Sequence, residues 1–243
     1  MYEDYTKKTK APLRPFYRSQ VKKILNEEIW MCKKAEVTIA VSDRDAEYFK
    51  QFNKCEIVRN GVDVESLAYK APRKNGKNIL FVGNFTYFTN VDAIRFFVDK
   101  VFSNMTGDYK LTVIGKKVGD LQLSDPRIET IEFIPEISDA YAQADVVVSP
   151  VKLGGGTNFK VLEAFAAGVP VVSFPDRIEG LDVVDGKNII LARDAEEFKI
   201  QVEKLLSDFA LRKKISENAR KLVEREYDWK VIGKKLSQIW NNL

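Results

Sequence analysis

Short apolar runs alternate with amphipathic segments through most of this chain. Runs of strand length, rich in Val, Ile, Leu and Phe, are separated by stretches whose apolar residues recur at helical spacing, such as Val91, Ile94, Val98 and Val101. This alternation is typical of an α/β protein with a doubly wound parallel sheet. The predicted strands are Asn78–Gly83, Lys110–Gly115, Ile128–Phe133, Asp145–Pro150, Val169–Phe174 and Asn188–Ala192.

The two ends of the chain carry fewer strand patterns and more helical ones. Residues 1–15 have no hydrophobic period. Two further strands are predicted, at Glu36–Val41 and Glu56–Arg59. The predicted helices are Arg18–Lys34, Asp43–Phe52, Asp139–Ala144, Ala195–Asp208, Ala210–Tyr227 and Trp229–Trp240.

Composition narrows the class of protein. A chain of 243 residues with 45% hydrophobic content can bury a sizeable core. Its 39 basic and 35 acidic residues leave a formal charge of +4, too small an excess to indicate a nucleic-acid partner. Cys32 and Cys55 favour a reducing compartment over a disulfide framework. The absence of histidine excludes histidine general-base chemistry and argues against a zinc site.

Hydropathy sets the expected location. No apolar run reaches the roughly 18 residues of a membrane span, and the first residues are polar, so we expect a cytoplasmic protein. The basic residues of Arg18–Lys34 are interpreted as an ordinary solvated helix face, with peripheral membrane contact as the alternative.

The densest pattern is the stretch from Asp145 to Phe174, which predicts strand, glycine-rich turn, helix and strand in quick succession. Gly154, Gly155 and Gly156 free the backbone of the turn, and Thr157 can cap the helix that follows. Such a turn points unpaired N–H groups and the positive helix end at one place, which suits a phosphate or a diphosphate. A loop that only crosses over is the alternative interpretation of the glycines.

The helix after this turn has two stripes. Lys160 and Glu163 lie along the polar stripe, about 4.5 Å apart along the axis, so a cation and a carboxylate face the ligand position. Alternatively they only pair with each other on a solvated face. Phe159, Leu162 and Ala166 form the stripe predicted to pack on the sheet.

These residues resemble a known family. GGGTNFKVLEAFAAGVPVV is similar, nearly position by position, to the donor-site segment of family-four-type glycosyltransferases (glycosyl transferases group 1) of the GT-B fold. The resemblance implies that Gly154–Thr157 and Lys160 hold the diphosphate of a nucleotide-sugar and that Glu163 binds the ribose, which makes Lys160 and Glu163 the candidate catalytic pair. Many members carry another glutamate where this chain has Gly155, so the usual carboxylate contact with the sugar is missing.

A second loop at the same edge of the predicted sheet joins the candidate site. Gly83 and Asn84 follow a strand, and backbone donors there can approach the donor phosphates. Asn90 is predicted to cap the next helix. The resemblance places Ile134 and Pro135 beside the nucleobase, although a hydrophobic loop that packs on the core explains them equally well.

Three further side chains are weaker candidates. The resembled family often has Arg and Lys near the first glycine loop, where this chain offers Asn84 and Thr89 or Asn90. Either Lys160, together with Lys116 or Lys152, compensates for the missing charge, or the site binds less charge than usual. Lys117 is interpreted as a solvated surface residue. Glu179 is a candidate to replace the carboxylate lost at Gly155, with an exposed loop glutamate as the favoured interpretation.

The resemblance spans nearly the whole chain, from the end of an N-terminal domain through the motif Asn60-Gly61-Val62-Asp63 to the final EREYDWKVIGKKLSQIW. It implies a Rossmann-like doubly wound parallel sheet, the GT-B C-terminal domain, with a truncated N-terminal α/β portion. We expect residues 1–64 to be the remnant of the acceptor-side domain and residues 65–77 a linker. Residues 78–227 should form the nucleotide-sugar-binding domain, and residues 228–243 a helix that crosses back.

The function implied is a glycosyltransferase, or its donor-binding half, that moves a sugar from a nucleotide-diphosphate sugar to a glycan, lipid or other hydroxyl acceptor. The resemblance implies retention of anomeric configuration, no metal and no cofactor besides the donor substrate. The alternative is a non-catalytic nucleotide-sugar-binding module that needs a partner chain to supply the acceptor domain. No dinucleotide G-x-G-x-x-G follows a strand and no P-loop motif occurs, which argues against an oxidoreductase and an ATPase.

Overall fold

The structure, a computed structural model, describes residues 11–152, 158–178 and 180–243. In chain order its strands are β1 (Thr38–Ala40), β2 (Cys55–Ile57), β3 (Asn78–Val82), β4 (Lys110–Ile114), β5 (Ile128–Ile131), β6 (Val146–Ser149), β7 (Val171–Ser173) and β8 (Ile190–Leu191). Its α-helices are α1 (Arg14–Lys34), α2 (Asp43–Phe49), α3 (Phe88–Lys100), α4 (Ile137–Gln143), α5 (Phe159–Ala167), α6 (Ala195–Ser207), α7 (Phe209–Glu226) and α8 (Trp229–Asn241).

The sheet that carries the candidate site has six parallel strands in the order β5-β4-β3-β6-β7-β8. The first strand of this sheet along the chain, β3, lies at its centre, and the strand order reverses between β3 and β6. This is the order of the dinucleotide-binding doubly wound fold. The predicted fold class is therefore confirmed.

Hydrophobic residues that alternate along the strands build two cores, one on each face of the sheet. Ile79 and Phe81 of β3 join a cluster with residues of α3 and α6. Leu80, between them, joins a second cluster with residues of α4, α5 and α7. Because successive side chains of a strand point to opposite faces, the sheet has helices on both sides.

The described residues divide into two compact units. The smaller comprises residues 11–59 and 233–243, and the larger comprises residues 60–152, 158–178 and 180–232. In the smaller unit, β1 and β2 pair in parallel, with Thr38 opposite Cys55. The finer domain bounds expected from the sequence stay a prediction.

The segment predicted as a linker is anchored on the larger unit. The carboxylate of buried Asp145 accepts hydrogen bonds from Arg73 Nε at 3.0 Å and from the N–H of Lys77 at 2.8 Å. Fully buried Arg212 donates to the carbonyl of Lys74 at 3.0 Å. A buried charge needs such partners, so these bonds fix the path of the chain into β3.

No helix of the described ranges combines the length and the apolar character that crossing a bilayer needs. For the basic residues of α1, the solvated face stays the prediction and peripheral membrane contact stays the alternative.

Candidate functional site

The strand order reverses between β3 and β6, and open α/β sheets generally bind ligands at their carboxyl edge beside such a reversal. The loop after β3 contains Gly83 and Asn84, and the loop after β6 leads into α5, which carries Lys160 and Glu163. The fold therefore brings the two predicted loops to neighbouring strands. The predicted turn Gly154–Thr157 lies outside the described residues, as does Glu179.

Two glycines set the geometry at the end of β3. The N–H of Gly83 donates to the carbonyl of Ile114 at 2.9 Å. Gly115 has φ +143°, and a Cβ there would lie 1.8 Å from the carbonyl oxygen of Gly83. A Cβ on Gly83 would lie 3.0 Å from Cγ of Asn90. Only glycine lets the backbones approach this closely and lets the Asn90 amide lie against the loop.

Most backbone N–H groups of the loop after β3 already donate to acceptors within the protein. The N–H of Phe85 donates to the carbonyl of Lys116 at 3.0 Å, and that of Tyr87 to the carbonyl of Asn84 at 3.3 Å. The N–H of Thr86 donates to Oδ1 of Asn84 at 3.0 Å. The N–H of Asn84 has no acceptor among the described residues, so it is the donor of this loop that a ligand can use.

Lys160 lies in the first turn of α5. Its Nζ donates to Oδ1 of Asn90 at 3.1 Å and lies 4.3 Å from the centroid of the Phe81 ring. Burial lowers the pKa of Lys160 to about 8, and the neighbouring Glu163 acts in the opposite direction. The ammonium is thus held by a neutral amide and an aromatic face, and its charge can serve an anion.

Glu163 lies one turn further along α5. The hydroxyl of Tyr141, a fully buried residue of α4, donates to Oε2 of Glu163 at 2.7 Å. Burial raises the pKa of Glu163, while the Tyr141 hydrogen bond and Lys160 lower it. Burial and the charge of Glu163 also raise the pKa of Tyr141 well above its ordinary value, so the hydroxyl remains a donor. Lys160 and Glu163 each have a partner other than one another, unlike the simple helix pair of the alternative interpretation.

Sequence reasoning missed three features of this site. Asn90 does not cap α3, because Tyr87 holds the N-cap position, and its side chain reaches Lys160 instead. Tyr141 had no place in the predicted site, although a buried tyrosine hydroxyl signals a polar partner. Phe159 is 46% exposed rather than packed on the sheet, because other residues of α5 make its contacts with the sheet and with α7.

The remaining candidates have contacts of their own. Ile134 is half-buried and packs on the second core cluster, as the packing interpretation required, and Pro135 is exposed. Lys152 Nζ lies 4.0 Å from the ring centroid of Phe96. Lys116 is exposed, and Lys117, also exposed, is 3.8 Å from the carboxylate of Asp120. No described contact joins these side chains to Lys160 or Glu163.

Tyr141→Phe tests whether the hydroxyl holds the carboxylate. We expect the variant to fold and the pKa of Glu163 to rise further, because a hydrogen bond that stabilises the ionised form is lost. The measurement is an NMR titration of ¹³C-labelled glutamate carboxyls. Tyr227→Phe is the matched control, since it removes another buried tyrosine hydroxyl, one that accepts from the N–H of Asp182 at 2.8 Å. Equal Glu163 titration curves in all three proteins would contradict this role.

A six-stranded parallel sheet whose strand order reverses between β3 and β6, with helices on both faces, defines a Rossmann-like domain. The chain belongs to the family Glycosyl transferases group 1, whose model matches residues 76–208. The predicted family is therefore confirmed.

Curated relatives carry similar names. An uncharacterized glycosyltransferase of Methanocaldococcus jannaschii is 27% identical over 263 residues, which cover 96% of this chain and 64% of that protein. The chain spans less than two thirds of the length of the curated relatives it matches.

Solved structures share the fold. Sucrose-phosphate synthase of Thermosynechococcus elongatus is similar with a TM-score of 0.74 and 18% identity, over 91% of this chain and 61% of that one. The Anabaena protein HepE, in a crystal structure with UDP-glucose, has a TM-score of 0.70 and 17% identity, over 90% of this chain and 67% of its own. At this identity the likeness establishes the fold of the chain.

Proposed function

We propose that this chain is a glycosyltransferase, or its donor-binding half, that moves a sugar from a nucleoside-diphosphate sugar to a hydroxyl acceptor. The observation that carries the proposal is the placement of Lys160 and Glu163 on α5, the helix that follows β6 at the reversal of strand order between β3 and β6. Family membership and a structural neighbour crystallised with UDP-glucose support it.

Each residue of the pair has a distinct role in this proposal. The ammonium of Lys160 pairs with the diphosphate, together with the N–H of Asn84 and the predicted turn Gly154–Thr157. Oε2 of Glu163 accepts from Tyr141, which leaves Oε1 to accept from the ribose hydroxyls. The two residues are three positions apart on one helix, a rise of about 4.5 Å, which matches the step from a diphosphate to its ribose.

In the reaction, the bond from the anomeric carbon to the diphosphate oxygen breaks and a bond to the acceptor oxygen forms. The acceptor proton passes to the departing diphosphate. Lys160 stabilises the charge that develops on this leaving group, which is the usual task of a positioned cation in a site of low dielectric. We propose a metal-independent reaction with retention of anomeric configuration, supported by the family resemblance of the glycine turn and by the Lys160 charge.

The test is transfer by the purified chain from a panel of nucleoside-diphosphate sugars to glycan and lipid acceptors, with EDTA present. We expect release of nucleoside diphosphate together with a glycosylated product, and an anomeric NMR signal with the configuration of the donor. A chain that binds none of the donors contradicts the proposal. Loss of activity in EDTA, or an inverted anomer, contradicts only the mechanism.

A binding module that needs a partner chain is the second candidate, because the described residues of the smaller unit form an open apolar groove. The groove has a volume of about 260 Å³, and its Trp240 is 74% exposed. Its lining residues are Glu36, Val37, Ile39, Leu236, Ile239, Trp240 and Leu243. An exposed apolar surface of this kind is typical of a contact with another protein. Donor binding without any turnover by the chain alone favours this candidate.

The pH dependence of UDP binding follows from Lys160. Since burial lowers its pKa to about 8, the ammonium that attracts the diphosphate is present below that pH and is lost above it. We expect the affinity for UDP to fall as the pH rises above 8, by up to about tenfold per pH unit. Calorimetry should show no such fall in Lys160→Met, and the comparison cancels the titration of UDP itself. Parallel curves for the two proteins would contradict the role of Lys160.

A further inference from the structure

The side chain of Asn90 connects the two loops of the site. Its Oδ1 accepts from Nζ of Lys160 at 3.1 Å, and its Nδ2 donates to the carbonyl of Asn84 at 2.9 Å. The absence of a Cβ at Gly83 makes room for the amide, whose Cγ would lie only 3.0 Å from that atom. One amide thus holds both the loop after β3 and the first turn of α5.

An ordinary helix-capping role does not account for this arrangement. Asn90 is the third residue of α3, and its own N–H donates to the carbonyl of Tyr87 at 3.1 Å. A capping asparagine turns its side-chain oxygen to the N–H groups of its own helix. The oxygen of Asn90 accepts instead from a lysine 70 positions further along the chain.

The neutrality of the amide matters as much as its position. Lys160 faces the amide of Asn90 on α3, the ring of Phe81 on β3 and, along α5, the carboxylate of Glu163, whose other neighbour is the Tyr141 hydroxyl of α4. Among the described residues, Glu163 is the charged group that acts on Lys160. An aspartate at position 90 would form an ion pair with Lys160 in a desolvated place and would compete there with any bound anion.

We propose that Asn90 is a positioning residue, which fixes the Lys160 ammonium beside the loop after β3 while leaving its charge available to the donor diphosphate. The inference rests on the proposed function, because it assumes that a nucleoside diphosphate binds at Lys160. If the inference is right, the first turn of α3 contributes to donor affinity through Asn90, in addition to the glycine turn and α5.

The test compares Asn90→Asp and Asn90→Ala by calorimetric titration with UDP between pH 6 and about 10, a range that brackets the Lys160 titration. Asn90→Asp is nearly isosteric, yet we expect it to lower UDP affinity at pH 7 about 10- to 100-fold, and Asn90→Ala only about 3- to 10-fold. In Asn90→Asp the alkaline loss of binding should also move to higher pH, because the added carboxylate stabilises the ammonium.

Asn218→Asp is the matched control. Its amide donates to the carbonyl of Lys187 at 2.9 Å in an exposed place, so it gains the same charge and loses a similar bond away from the site. Asn218→Asp should bind UDP as the unsubstituted chain does, with the same pH profile.

The outcomes separate the two proposals. If the unsubstituted chain does not bind UDP or any other nucleoside diphosphate, the proposed function and this inference both fail. If the unsubstituted chain binds UDP, and Asn90→Asp binds it equally well and loses binding at the same alkaline pH, the inference is overturned while the proposed function stands. A larger loss in Asn90→Ala than in Asn90→Asp would also overturn it, since that order indicates a purely structural amide.

Discussion

Lys160→Met is expected to lower kcat/KM for sugar transfer from a UDP-sugar about 10²- to 10³-fold, the usual effect of removing one group that stabilises charge in the transition state. Methionine keeps an unbranched side chain of similar length that can still contact the ring of Phe81. It cannot donate to Asn90 or balance the charge of a departing diphosphate. Most of the loss should therefore appear in kcat.

Steady-state kinetics at pH 7 measures this effect, with thermal unfolding of each variant as the check on folding. Lys199→Met is the matched control, because that lysine lies on α6 and pairs with Glu196 at 2.8 Å. The control should keep full activity. If Lys160→Met transfers sugar at a rate within threefold of the control, Lys160 does not act on the leaving group.

Gly115→Ala should lower the free energy of unfolding of the larger unit by about 3–5 kcal/mol, the sum of a backbone strain and an overpacking penalty. The new Cβ would lie 1.8 Å from the carbonyl oxygen of Gly83, and φ at this position is +143°. Neither strand end can move aside easily, because the N–H of Gly83 bonds to Ile114 and that of Gly115 to Ile131, each at 2.9 Å.

Urea unfolding of the full chain measures the loss. Gly186→Ala separates the two contributions, because Gly186 has φ +68° but open space around the position of a Cβ. That control should cost only about 1 kcal/mol, the price of a left-handed backbone. If the two variants lose the same free energy of unfolding, the loops that follow β3 and β4 can move apart to make room for the new Cβ.

The order of the elements could be predicted because most strands are short runs rich in apolar, β-branched residues and most helices have a clear hydrophobic period. Boundaries were less exact. The first helix begins at Arg14 rather than Arg18, since Pro15 fits the first turn of a helix, where no intrahelical N–H bond is required. Strand Val171–Ser173 is shorter than the apolar run that predicted it.

The contacts of the site could not be predicted in the same way. Lys160 and Glu163 follow from their spacing on one helix, but their partners Asn90 and Tyr141 come from other helices and depend on how these pack. The wrong prediction for Phe159 has a similar cause. Helical periodicity shows which residues share a stripe, but it does not show which stripe packs on the sheet. Here α7 packs on α5 as well, so most residues of α5 are buried while Phe159 stays exposed.

A crystal structure of the chain with UDP tests most directly whether a nucleoside diphosphate lies against the first turns of α5. We expect a phosphate oxygen within hydrogen-bond distance of Nζ of Lys160 and a ribose hydroxyl within hydrogen-bond distance of Oε1 of Glu163. UDP bound elsewhere, or protein that fills the space beside the first turns of α5, would contradict this expectation.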